Sequence, residues 1–142
     1  MDSALVLCID DRPHLLELRK AALESQGFSI ETVSGESAAM RVLERKSVDA
    51  VLLDYEQEGM DIESLAYDIK QRFPRLPIVM LLPASVEVPE RILWLVDEYV
   101  MKGELPQGLV RAIKQATSPT NADQAHNPGL SSHGRRQHKP AA

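Results

Sequence analysis

Short, unbroken apolar runs alternate with segments whose apolar residues recur at helical spacing, and the alternation repeats five times along the chain. Ala4-Leu5-Val6-Leu7-Cys8-Ile9, Ala50-Val51-Leu52-Leu53 and Ile78-Val79-Met80-Leu81-Leu82 contain no polar residue. Such runs suit parallel strands covered on both faces. Residues 28–33 alternate apolar and polar instead, which marks an edge strand, and 99–101 form a short fifth strand. Helices are predicted over about 13–26, 36–46, 62–73 and 105–115, with a short one starting at Pro89. Their expected inner faces carry Leu15, Leu18 and Ala22 in the first, then Ala39, Met40 and Leu43, then Ile62, Leu65, Ala66, Ile69 and Phe73. Gly27 reads as the stop of the first helix. Strand–helix alternation implies right-handed crossovers and a parallel sheet. With the three apolar strands inside and the other two at the edges, the pattern predicts an α/β, flavodoxin-like doubly wound (βα)5 fold with strand order 2-1-3-4-5.

Charges stand where three of these strands end. Asp10 and Asp11 follow the first run, Asp54 follows the third strand, and Lys102 follows the fifth. Ligands of open parallel sheets bind outside the carboxyl ends of the strands, at the point where strand order reverses. Strands 1 and 3 flank that point in this order, so the three carboxylates should meet there. Crowded carboxylates repel, which favours a divalent cation, and a nearby lysine can hold an anion such as a phosphoryl group. The chemistry suggested is Mg2+-assisted phosphoryl transfer to one carboxylate. Taken alone, Asp10 and Asp11 also suit a cap and a favourable acid ahead of the first helix.

Composition narrows the classes. The chain has 142 residues, enough for one domain with a proper core, and a formal net charge of −5. Residues 117–142 hold Asp123 against Arg135, Arg136 and Lys139, so that segment carries +2 and residues 1–116 carry −7. An acidic body argues against DNA binding by the folded part. No apolar stretch reaches transmembrane length and the start lacks a basic leader, so a cytoplasmic location is expected, with no membrane association. The single cysteine, Cys8, cannot form an internal disulfide and is expected as a buried, inert thiol. Residues 117–142 lose apolar periodicity and are expected to be a disordered tail, with His126, His133 and His138 too scattered for a metal site.

Taken together, Asp10-Asp11, Asp54 with the stretch to Gly59-Met60-Asp61, and Tyr99 three residues before Lys102 resemble the receiver domain of bacterial two-component response regulators. The resemblance covers about residues 3–116. It implies Asp54 as phosphoacceptor and nucleophile, Mg2+ held by Asp10, Asp11, Asp54 and the backbone carbonyl of Glu56, Lys102 on a phosphoryl oxygen, and Tyr99 as the switch aromatic. It further implies a histidine kinase or phosphotransfer protein as donor. The output would be a downstream protein bound at the helix 4–strand 5–helix 5 face, with a homodimer left open. Such a domain accepts a phosphoryl group and is not a turnover enzyme on other substrates, beyond autophosphatase activity.

Several positions depart from the family pattern. Leu82 stands where Thr or Ser is usual, removing a hydroxyl that would bond the phosphoryl oxygen; Ser85 could substitute only if its loop folds back. A bond to a charged group contributes about 1.5–3 kcal/mol, enough to weaken a switch without blocking chemistry at Asp54. Glu56 and Glu58 add negative charge beside the site, and Trp94-Leu95-Val96-Asp97-Glu98 replaces a small, Gly-containing turn, so helix 4 should be remodelled. Trp94 there suits either a contact residue or core packing; His14 reads as a partly exposed first-turn residue and Tyr55 as a packing residue. A pseudo-receiver, a binding module working independently of phosphorylation, is the main alternative. An aspartyl phosphohydrolase is disfavoured because Asp10-Asp11-Arg12 lacks the D-x-D spacing, and nucleotide binding because no glycine-rich phosphate loop follows a strand.

Overall fold

A computed structural model describes residues 3–84 and 87–118. Five strands, β1 (Leu5–Ile9), β2 (Ser29–Val33), β3 (Ala50–Asp54), β4 (Ile78–Leu82) and β5 (Glu98–Met101), form one parallel sheet in the order β2-β1-β3-β4-β5. This is the doubly wound arrangement expected from the sequence. The helices are α1 (Pro13–Glu24), α2 (Glu36–Arg45), α3 (Ile62–Arg72), α4 (Glu90–Leu95) and α5 (Gln107–Ala116), with a 3-10 turn over Lys102–Glu104. Among the described residues no helix is long and apolar enough to cross a membrane. The expectations for Ser85, for the histidines near the C-terminus and for most of the tail fall outside the described residues.

Side-chain parity along the strands explains the unbroken apolar runs. Leu7, Ile9, Val51, Leu53, Ile78, Met80 and Leu82 point to one face, where Ala39, Leu43, Leu65, Ile69 and Ile92 from α2, α3 and α4 cover them. Val6, Cys8, Ala50, Leu52, Val79, Leu81 and Val100 point to the other, covered by Leu16 and Leu23 of α1 and Leu109 and Ile113 of α5. Each Val, Leu, Ile or Met among them, fully buried, contributes about 1.5–3 kcal/mol. Cys8 is buried within this second cluster, and burial pushes its thiol up to about 12, so it is inert.

Helix α1 differs from its expected orientation. Leu18 is exposed, and Leu15 and Ala22 are only half-buried; the face turned inward carries Leu16, Arg19 and Leu23. The inward stripe includes an arginine, which apolar counting alone does not select. Helix α4 is the short segment foreseen from Pro89 and spans six residues, with Trp94 52% exposed on it and not packed in the core. The turn ahead of β5, which lacks glycine, is ordered by Asp97: its Oδ2 accepts from Lys70 Nζ at 2.6 Å and from the backbone N–H of Ile78 at 2.8 Å.

Candidate functional site

Register brings the charges together. Ile9 of β1 lies beside Leu53 of β3, so Asp10 and Asp54 stand level at adjacent strand ends, both about 1% exposed. Parity continues two residues on from Cys8 and Leu52, which turns both carboxylates towards the face that α1 covers. Arg19, on the buried stripe of α1, meets them there. Its Nη1 donates to Asp10 Oδ2 at 2.7 Å and its Nη2 to Asp54 Oδ2 at 2.8 Å. A guanidinium 9% exposed is tolerated only when paired in this way.

Arg12 closes the same cluster from the solvent side. Its Nε and Nη2 donate to Asp10 Oδ1 at 2.9 Å and Oδ2 at 3.0 Å, a bidentate fork, while Nη2 also lies 3.0 Å from Asp54 Oδ2. Arg12 is the N-cap residue of α1, ahead of Pro13, and makes no side-chain cap bond, so neither aspartate caps that helix. Burial alone would raise the Asp10 carboxyl, but the bonds from Arg12 and Arg19 outweigh it and hold the group below the ordinary carboxylate range. The bond to Asp10 likewise raises the Arg12 guanidinium above its ordinary value.

Lys102, on the turn after β5, reaches Asp54 Oδ2 at 3.1 Å, but its shorter contact is Glu56 Oε1 at 2.6 Å. The Glu56 backbone N–H donates to Asp54 Oδ1 at 2.8 Å. Gln57 clips the two loops together: Nε2 donates to Ile9 O at 3.1 Å and Asp54 O at 2.9 Å, while Oε1 accepts from the Asp11 N–H at 3.0 Å. Asp11 Oδ2 accepts from the Gly59 N–H at 3.0 Å, and a Cβ on Gly59 would lie 2.7 Å from that oxygen, so only glycine allows the approach. The mouth of the pocket is a cavity of about 910 Å3 lined by Asp11, Arg12, Tyr55, Glu56, Met60 and Arg91, among others.

Asp10, Asp11, Asp54, Glu56 and Lys102 therefore converge as the sequence reading required. Leu82 and Tyr99 lie further along, in the cluster under α3 and α4: Leu82 is 4% exposed and Tyr99 half-buried. The expected Mg2+ does not fit the pocket in this arrangement. Both Asp10 oxygens are taken by guanidinium groups, Asp54 Oδ2 meets three cationic nitrogens, and no cluster of three or more His, Cys, Asp or Glu among the described residues is arranged to hold a metal ion. The repulsion that called for a divalent cation is relieved by Arg12 and Arg19. Sequence reasoning missed Arg12, Arg19 and Gln57. The spacing Leu16–Arg19–Leu23, three and then four residues, was the available signal for Arg19.

Comparison with known proteins agrees with the fold. The family model described as response regulator receiver domain matches residues 6–114. The chain is 30% identical over 124 residues to the transcriptional regulatory protein GlrR of Escherichia coli, covering 83% of this chain and 28% of that protein. The chain thus spans under a third of that relative's length. Among solved structures it resembles the response regulator protein TrrA of Thermotoga maritima in complex with Mg2+–BeF, with TM-score 0.72 and 27% identity, covering 80% of this chain and 98% of that one. A second structure, of histidine kinase ThkA in complex with TrrA, matches with TM-score 0.72 and 28% identity, covering 81% and 99%.

Proposed function

This chain belongs to the response regulator receiver domain family, and on that premise we propose that residues 3–116 act as a phosphoacceptor in a two-component relay. Asp54 takes the phosphoryl group and the domain signals through protein contacts. The observation that carries the reading is the placing of Asp54: a buried carboxylate at the end of β3, with the partly exposed Lys102 and Arg12 within 3.1 Å of it. A carboxylate oxygen of Asp54 attacks the phosphorus of a phosphohistidine; the P–N bond breaks as the P–O bond forms, and the imidazole leaves. Lys102 and Arg12 then have a dianion to pair with, and both are partly exposed, so they can follow it. The donor in this reading is a histidine kinase or phosphotransfer protein, as in the complex of TrrA with ThkA. The α4–β5–α5 face is the proposed output surface; Trp94 is exposed on α4. We assign no DNA binding to this chain.

A second reading, a pseudo-receiver acting independently of phosphorylation, is favoured by two features. Asp54 Oδ2 is already saturated by three cations, and Leu82 leaves no hydroxyl on β4 for a phosphoryl oxygen. Intact mass after treatment with acetyl phosphate, or with a phosphorylated histidine kinase, separates the two. The acceptor reading expects a gain of one phosphoryl group that disappears in Asp54→Asn. A gain that persists in Asp54→Asn would sink the assignment, and no gain in the native chain would count against the acceptor reading and favour the second.

A further inference from the structure

The inner cluster of the site is electrically complete without any metal. Asp10 and Asp54, both buried, face Arg12 and Arg19, and each guanidinium touches both carboxylates between 2.7 and 3.0 Å. Two negative charges are thus matched by two positive ones, bridged so that neither carboxylate retains an unoccupied Oδ2. Arg19 cannot withdraw: it is buried between Leu16 and Leu23 on the core-facing stripe of α1. Arg12 can, because about a third of its side chain is exposed, but leaving would strip Asp10 of its fork. Asp11, the remaining carboxylate, has Arg12 Nε at 3.8 Å and spends one oxygen on the Gly59 N–H. A divalent cation approaching Asp11 and Asp54 would sit within a few ångströms of a fixed positive charge and find its strongest anionic ligands taken.

We propose that Arg12 and Arg19 replace the divalent cation in this pocket, so that the native chain holds its acceptor loop ordered without metal and excludes Mg2+ until Arg12 is removed. The two arginines divide the task. Arg19 is the permanent counter-ion that makes the burial of Asp10 and Asp54 tolerable. Arg12 is the outer one, closing the position from which a cation would enter. The proposal concerns the pocket assigned above and rests on that reading only for calling Asp54 the acceptor.

The test follows binding and stability, so it is independent of whether Asp54 accepts a phosphoryl group. Mn2+, a paramagnetic stand-in for Mg2+, is titrated into the native chain and into Arg12→Ala while amide NMR signals of Asp11, Glu56 and Gly59 are followed. Native protein should show no saturable broadening at these amides. Arg12→Ala should gain a site that saturates at least about tenfold more readily, since a unit positive charge a few ångströms from a divalent ion carries that penalty even in a water-like dielectric. In a second arm, Arg19→Leu should lower the thermal midpoint, and Mg2+ should restore part of the loss only when Arg12→Ala is added, leaving the midpoints of the native chain and of Arg19→Leu alone unchanged. Should Arg19→Leu fail to fold, the Arg12→Ala arm decides alone. Saturable broadening in the native chain as strong as in Arg12→Ala would overturn the proposal, as would the absence of any metal site in Arg12→Ala.

Discussion

Gln57 carries three hydrogen bonds on one side chain, and removing it offers a direct measurement of how the acceptor loop is held. Its amide donates to the carbonyls of Ile9 and Asp54 and accepts from the Asp11 N–H, so it ties the end of β1 to the end of β3. A net contribution of about 0.5–1.5 kcal/mol per bond sets a range of about 1.5–4.5 kcal/mol for Gln57→Ala. The bonds are only part-buried, and water can reach the groups left behind, which places the expected cost near 2 kcal/mol. With a urea slope of about 1–3 kcal/mol per molar for a domain of this size, the unfolding midpoint should fall by about 1 M. Gln57→Glu sharpens the test. One carboxylate oxygen still accepts from Asp11, but the other, in the place of Nε2, faces the carbonyls of Ile9 and Asp54, so it should cost at least as much as alanine at neutral pH. Lowering the pH to protonate that carboxyl returns one donor and should narrow its deficit relative to alanine. Urea titrations of the three proteins, with amide exchange at Asp11 as a local probe, provide the comparison. A Gln57→Ala protein within about 0.5 kcal/mol of native would refute the clip, and so would a glutamate variant more stable than the alanine one at neutral pH.

Acid should act through Asp10. Because its folded pKa is depressed, the stability it contributes is present above the ordinary carboxylate value of about 3.9 and is lost as pH falls through the lower folded value. Arg12→Ala removes the principal bond lowering that pKa, so acid unfolding followed by circular dichroism should begin at higher pH in the variant; coincident acid transitions would count against the assignment. Leu82→Thr restores the hydroxyl at the end of β4, but Leu82 is buried in the cluster with Ile92 and Met80, so the substitution should cost about 2–3 kcal/mol by urea titration. In the same variant the NMR shift change at Tyr99 on adding beryllofluoride should exceed that of the native chain, and equal responses would show that the missing hydroxyl does not limit the switch.

The strand order, the interior status of β1, β3 and β4, and the meeting of Asp10, Asp11, Asp54 and Lys102 were legible in the sequence for one physical reason. Apolar runs report burial on both faces, and in a parallel sheet their carboxyl ends share one edge, so residues that follow them converge whatever the side-chain details. The counter-ions were not legible. A lone arginine on a helix reads as solvated because burying an unpaired guanidinium is costly, and apolar counting therefore rotated α1 to bury Leu15, Leu18 and Ala22. In the folded chain that cost is cancelled by two carboxylates turned towards α1 by strand parity, so Leu18 faces solvent and Arg19 faces the sheet. The need to neutralise crowded carboxylates follows from sequence alone, since like charges at adjacent strand ends repel. What meets that need is decided by tertiary structure, because only the packing of α1 on the sheet brings Arg19 within 2.8 Å of both aspartates.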